Sequence, residues 1–197
     1  MFWIPSSKKI KGKKFKYKLS LIGTNHDDRL EIVKKVIPQM EDNHLNYFFR
    51  IFVPLVTPSI KDKLKYFMAK IFCNKKFVED YEISTGIKSY PFVMRHPMTI
   101  EEVNEIIEDS ETILDTDRES QRGVTPRAIW ALAQGKKVIS TNQYIGKEID
   151  SDISEHVSLI TRENPIIDVD FINKNITNDI PNLEYLRIDK WVEEILK

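Results

Sequence analysis

Three arginines within ten residues, Arg118, Arg122 and Arg127, lead up to a predicted helix start and form the part of this sequence best suited to chemistry. They belong to Asp115-Thr116-Asp117-Arg118-Glu119-Ser120-Gln121-Arg122-Gly123-Val124-Thr125-Pro126-Arg127, a long polar loop of the kind that compact domains keep for function or motion. Thr125 can cap the helix with its hydroxyl, and Pro126 suits the first helical position. Gly123 and Thr125 offer backbone and hydroxyl donors. Arg127 falls in the first turn, where free N–H groups and a guanidinium fork together suit an anion such as phosphate. Asp115 and Asp117 could hold a divalent ion, but beside three arginines they are expected to pair with those arginines.

A second loop, Gly23-Thr24-Asn25-His26-Asp27-Asp28-Arg29, follows an apolar run. Gly23 is expected to close that run with a tight turn and to let a ligand come near the backbone. Arg29, in the first turn of the next helix, can offer a forked donor to a diphosphate. His26 reads as a capping or solvent-facing histidine, with ligand contact as the alternative. The sequence lacks P-loop and Gly-x-Gly-x-x-Gly spacing, a Gly-x-Ser-x-Gly elbow, and His/Cys spacing for a metal. The lone Cys73 can form neither an internal disulfide nor a zinc cluster, and reads as a small buried apolar residue.

The elements that must position these loops alternate. Strands are predicted over Tyr17–Ile22, Tyr47–Val53, Tyr90–Met94, Thr112–Leu114, Lys137–Ser140 and Val157–Ile160. Helices are predicted from Asp28 to about Met40, over Ile60–Phe72, from Thr99 to about Asp109, from Thr125 to Gly135 and from Asp189 to Lys197. Asp27 or Asp28, a Thr99/Glu102 capping box, and Asp189 mark three of the helix starts. Most of residues 74–98 has no clear pattern. The alternation argues for an α/β, Rossmann-like, mostly parallel sheet with helices on both faces, and ligand beyond the carboxyl ends of the strands. Residues 1–16 read as a basic tail and 17–197 as the domain.

With 41% hydrophobic and 30% charged residues in 197, the composition is that of a globular chain, which excludes collagen-like or disordered classes. Lys+Arg and Asp+Glu both total 30, but residues 1–76 hold 17 against 6, a net of +11, and the remainder 13 against 24, a net of −11. The densest basic run is Lys8, Lys9, Lys11, Lys13, Lys14, Lys16 and Lys18. It reads as a solvated tail or as a contact for anionic lipid headgroups. Without an aromatic ladder or reading motif, nucleic acid is not expected as a partner. No apolar run approaches the ~20 residues that span a bilayer. The expected location is cytoplasmic, peripheral at the inner membrane face if the lysines engage it.

Several motifs in order resemble a bacterial GT-B glycosyltransferase family of lipopolysaccharide or capsular polysaccharide biosynthesis. They are Leu114-Asp115, Gln121, Gly123, Thr125, Arg127, Ala131-Leu132, Gly135-Lys136-Lys137 and Thr141-Asn142. Leu19–Thr24 with His26, Asp28 and Arg29, and Arg162-Glu163-Asn164-Pro165 before Asp168, extend the likeness. The resemblance implies the C-terminal, donor-binding half of a two-domain enzyme, with a nucleotide-sugar as substrate and no metal or other cofactor required. Met1–Pro5 resembles the linker between halves, so the N-terminal acceptor half, which often carries the base, is expected on a separate chain or in other polysaccharide-assembly enzymes. The implied nucleotide-sugar contacts are Gly23, Thr24, Arg29, Gln121, Gly123, Thr125, Arg127 and Trp130; no catalytic residue is assigned. Trp130 stands where the family usually has a carboxylate that accepts from the ribose hydroxyls. Indole has a donor only, so it would stack on a base or sugar, or simply pack against a neighbour. The alternatives are a non-catalytic, membrane- or partner-associated remnant of this fold, and a different nucleotide- or phosphosugar-using enzyme.

Overall fold

The computed structural model describes residues 14–120, 123–149, 152–175 and 183–196. Gln121, Arg122, most of the 1–16 tail, and Lys8, Lys9, Lys11 and Lys13 lie outside these. The strands are β1 (Tyr17–Thr24), β2 (Tyr47–Phe52), β3 (Val93–Met94), β4 (Ser110–Asp115), β5 (Lys137–Ser140) and β6 (Val157–Leu159). The helices are α1 (Arg29–Asp42), α2 (Ile60–Ile71), α3 (Lys75–Ser84), α4 (Ile100–Glu108), α5 (Pro126–Ala133), α6 (Ile145–Glu148), α7 (Val169–Asn173) and α8 (Ile188–Ile195). The strands form one parallel sheet in the order β3-β2-β1-β4-β5-β6, flanked by helices: a Rossmann-like α/β fold. In this order the sequence direction reverses between β1 and β4.

By internal packing the chain forms two compact units. The larger takes in β1 up to Leu21, His26–Phe49, and the chain from Ile100 on. There β4 and β5 pair with Ile113 opposite Val138 and Asp115 opposite Ser140. Their side chains are buried at every position of β5 and all but one of β4, as strands covered on both faces require. Ile129 and Leu132 of α5 pack with Ile113 and Val138 in the core, and Ala133 is partly buried against it. Thr125 caps α5, its hydroxyl accepting from the Ala128 N–H at 3.1 Å. At the far end Gly135 has φ +72°. The Lys136 N–H reaches Ala131 O at 3.0 Å and the Gly135 N–H reaches Leu132 O at 2.9 Å, closing a Schellman motif.

The smaller unit comprises Ile22–Asn25 and Arg50–Thr99. Within it Ile51 lies opposite Val93, and Arg95 Nη1 donates to Val53 O at 3.1 Å. Helices α2 and α3 pack as a pair, with the Tyr66 and Tyr81 rings stacked at 4.3 Å.

Four expectations are corrected. Strand β1 continues through Gly23 to Thr24, and the left-handed turn falls instead at Asp27 (φ +50°), whose short polar side chain tolerates it. Cys73 is exposed, not buried: it follows the last turn of α2 at φ +55°. Asp28 is the N-cap residue of α1 but makes no side-chain cap bond, because its carboxylate is taken by Arg162. At α8, likewise, the N-cap residue is Arg187, and Asp189 sits in the first turn bonded to it.

Candidate functional site

Strand β4 ends at Asp115, and the chain then crosses to the start of α5 at the carboxyl edge of the sheet. Asp115 is 1% exposed. Its Oδ1 accepts from the Thr125 hydroxyl at 2.7 Å and lies 3.6 Å from Arg127 Nη1. Its Oδ2 is buried with no hydrogen-bond partner among the described residues. Burial pushes the Asp115 carboxyl above the ordinary carboxylate range, against the pull of Arg127 and of the Thr125 hydroxyl.

Arg127 pairs with Asp115 by charge, without a hydrogen bond. Its side chain is 24% exposed, and the buried Nη1 makes no hydrogen bond among the described residues. At the start of α5, Pro126 has no N–H, and the N–H groups of Ala128 and Ile129 go to the Thr125 hydroxyl and carbonyl. The Arg127 N–H is therefore the remaining backbone donor of the first turn, on the same residue as the guanidinium that faces Asp115. Gly123, just before, is exposed, and a Cβ placed there would meet nothing within 4 Å.

Arg29 and Arg162 are committed. Arg29 is buried; its Nε donates to Thr116 Oγ1 at 2.6 Å and its Nη2 to Thr116 O at 2.5 Å. Burial and the neighbouring Arg127 push it down to about 10, so it remains cationic at neutral pH. Arg162 bridges two loops, donating to Asp28 Oδ1 at 2.6 Å and to Asp117 O and Oδ1 at 2.7 and 2.5 Å. The acids do pair with arginines, although Asp117 takes Arg162 instead of a loop arginine. Thr141 and Asn142 staple the long loop to the end of β5: the Thr141 hydroxyl donates to Asp117 Oδ1 at 2.5 Å, and Asn142 Nδ2 to Gly123 O at 3.2 Å. His26 Nδ1 lies 3.3 Å from Asp27 Oδ2 without a hydrogen bond, and burial together with Arg29 pushes the imidazole below its ordinary value.

Of the sequence-predicted contacts, the larger unit brings Arg29, Gly123, Thr125 and Arg127 to the carboxyl edge of the sheet, with Arg29 turned to a structural task. Gly23 and Thr24 end β1 and belong to the smaller unit, with Thr24 exposed. Trp130, one helical turn beyond Arg127, is 38% exposed, so its indole is not fully packed away. Gln121 lies outside the described residues. The two lysines of Gly135-Lys136-Lys137 are buried and hold the protein's own groups instead of facing a ligand: Lys136 Nζ donates to Ser110 O at 2.7 Å, and Lys137 Nζ to the Glu111 carboxylate at 2.7 Å and to Lys174 O at 2.9 Å. Among the described residues no group of three or more His, Cys, Asp or Glu side chains could hold a metal, and no helix is long and apolar enough to cross a membrane. Sequence reasoning missed the bridge made by Arg162; its only sequence signal was the Arg162–Pro165 motif, which carries no hint of its distant partners. No protein-family model and no characterised protein matches the chain, so what stands is the Rossmann-like parallel α/β fold with this edge site.

Proposed function

We propose that the chain is the donor-binding half of a nucleotide-sugar-dependent glycosyltransferase, transferring a sugar to a cell-surface polysaccharide or lipopolysaccharide acceptor. The observation that carries this reading is Arg127 in the first turn of α5, whose guanidinium nitrogen makes no hydrogen bond among the described residues and lies 3.6 Å from the Asp115 carboxylate, close in sequence to Gly123, where a Cβ would meet nothing within 4 Å. The ordered motifs shared with GT-B enzymes and the position at the β1/β4 reversal of a parallel sheet support it. The diphosphate of the donor sits at the start of α5. As the bond from the anomeric carbon to the phosphate oxygen breaks, charge builds on the departing nucleoside diphosphate, and Arg127 stabilises it. Arg29 and Arg162 hold the flanking loops in place, and the indole of Trp130 offers a face for a base or sugar. The acceptor and its base come from an N-terminal half, on the same or a separate polypeptide.

Isothermal titration calorimetry with nucleoside diphosphates tests the reading. A charge-assisted hydrogen bond is worth about 1.5–3 kcal/mol, so Arg127→Ala should weaken binding about 10- to 100-fold. Absence of heat from the unaltered protein at millimolar nucleotide, or equal affinity in the variant, rejects it.

A further inference from the structure

We infer that α2 is an interfacial helix that docks the protein on an anionic lipid bilayer. Its sequence, Ile60-Lys61-Asp62-Lys63-Leu64-Lys65-Tyr66-Phe67-Met68-Ala69-Lys70-Ile71, places Ile60, Leu64, Phe67 and Ile71 on one stripe, with Met68 and the following Phe72 at its edge. None is buried: Leu64 is 62% and Phe67 60% exposed. The opposite stripe, Asp62, Tyr66 and Ala69, is the half-buried one. Tyr66 faces α3, stacking on Tyr81 and donating to Glu82 at 2.7 Å. The helix is therefore held by its polar side, and its apolar side is the one turned outward, the reverse of a helix that exists to fill a core.

Charge identifies the occupant. Lys61 and Lys65 flank the apolar stripe on one side and Lys63 on the other, and Lys75 and Lys76 follow at the start of α3, while Lys70 lies over the Tyr66 ring and pairs with Glu82 at 3.6 Å. The single acid of α2, Asp62, lies on the inward side and is engaged in a capping box with Ser59. An apolar stripe of aromatic and aliphatic residues bordered by lysines is the pattern of helices that lie in the plane of a membrane surface, the stripe among the acyl chains and the ammonium groups at the headgroups. A second copy of this chain would bring lysines against lysines, which disfavours self-association through the same face. The inference is independent of nucleotide binding, since no residue of α2 is among the proposed nucleotide contacts.

The test is co-sedimentation of the full chain with vesicles of phosphatidylcholine alone and of phosphatidylcholine mixed with phosphatidylglycerol. Binding to the anionic vesicles only, weakened by added salt, is expected. Leu64→Gln/Phe67→Gln, which keeps helix propensity, should lower the partition coefficient at least tenfold, with far-UV circular dichroism and nucleoside diphosphate affinity unchanged. A second variant with Lys8, Lys9, Lys11, Lys13, Lys14, Lys16 and Lys18 all changed to Gln separates the two basic segments and should still bind. An environment-sensitive fluorophore on the single, exposed Cys73 should shift to the blue on binding. Unchanged partition of the Leu64/Phe67 variant, loss of binding only in the seven-lysine variant, or concentration-dependent dimerisation that the Leu64/Phe67 variant abolishes overturns the inference.

Discussion

Replacing Arg127 by Ala should cost stability in a way that depends on pH, because its partner in the free protein is a buried carboxylate. Its guanidinium lies 3.6 Å from Asp115 Oδ1. Opposite unit charges about 4 Å apart attract by about 4 kcal/mol at an effective dielectric of about 20. Part of that offsets the desolvation of the guanidinium itself, so a net loss of about 2 kcal/mol is expected at neutral pH. Burial already raises the Asp115 carboxyl, and removing Arg127 raises it further. A carboxyl whose folded-state pKa lies above its unfolded value takes up its proton more readily in the folded protein. Stability therefore falls as pH rises from the unfolded value, about 4, through the folded one. The deficit of Arg127→Ala relative to the unaltered protein should be close to zero below about pH 4 and complete at neutral pH. Urea unfolding followed by far-UV circular dichroism measures it at both pH values. Adding Asp115→Asn to the variant should erase most of the neutral-pH deficit. A deficit of equal size at both pH values, or none at neutral pH, refutes the electrostatic reasoning.

Two further substitutions probe the scaffold under the site. Thr125→Ala removes both the cap on Ala128 and the hydroxyl's hydrogen bond to the Asp115 carboxylate, and should cost about 1–2 kcal/mol in chemical unfolding, largely restored by Thr125→Ser. Lys137→Met leaves the half-buried Glu111 with Lys18 alone and strips the carbonyls of Phe171 and Lys174 of a donor. It should cost about 3 kcal/mol, read as a fall in Tm of roughly 10 °C; a fall of a degree or two would mean that the ammonium contributes little there.

Much of the sheet was readable because its signals are local. Val138 and Ile139 form a short apolar strand bounded by polar residues and a glycine. Thr125-Pro126 and Gly135 bracket α5 with a cap, a fixed φ and a left-handed residue, each set by the residue's own chemistry. Two shorter helices carried the same kind of signal and were missed: the Asn74 side chain accepts from Phe77 N at 3.1 Å to cap α3, and Asp168 from Phe171 N at 2.9 Å to cap α7. In α7 only five residues follow the cap, too few to show a helical period.

The site was legible as a loop rich in arginine, but not in its division of labour. Arg29 and Arg127 looked equivalent, each in the first turn of a helix after a strand. Which one is spent depends on Thr116, 87 residues from Arg29 in sequence. The bridge from Arg162 to Asp28 spans 134 residues and has no local signature. Helix α2 was found by its period, but period alone does not say whether its apolar stripe faces a core or solvent; the α3 contact through Tyr66 decides that.

The most direct measurement of the central claim is a crystal structure of the chain with a nucleoside diphosphate. A phosphate oxygen is expected within hydrogen-bond distance of both the Arg127 guanidinium and the Arg127 N–H, with the Gly123 backbone alongside. A nucleotide bound elsewhere, or saturating nucleotide that leaves the start of α5 unoccupied while Arg127 keeps its place against Asp115, contradicts it.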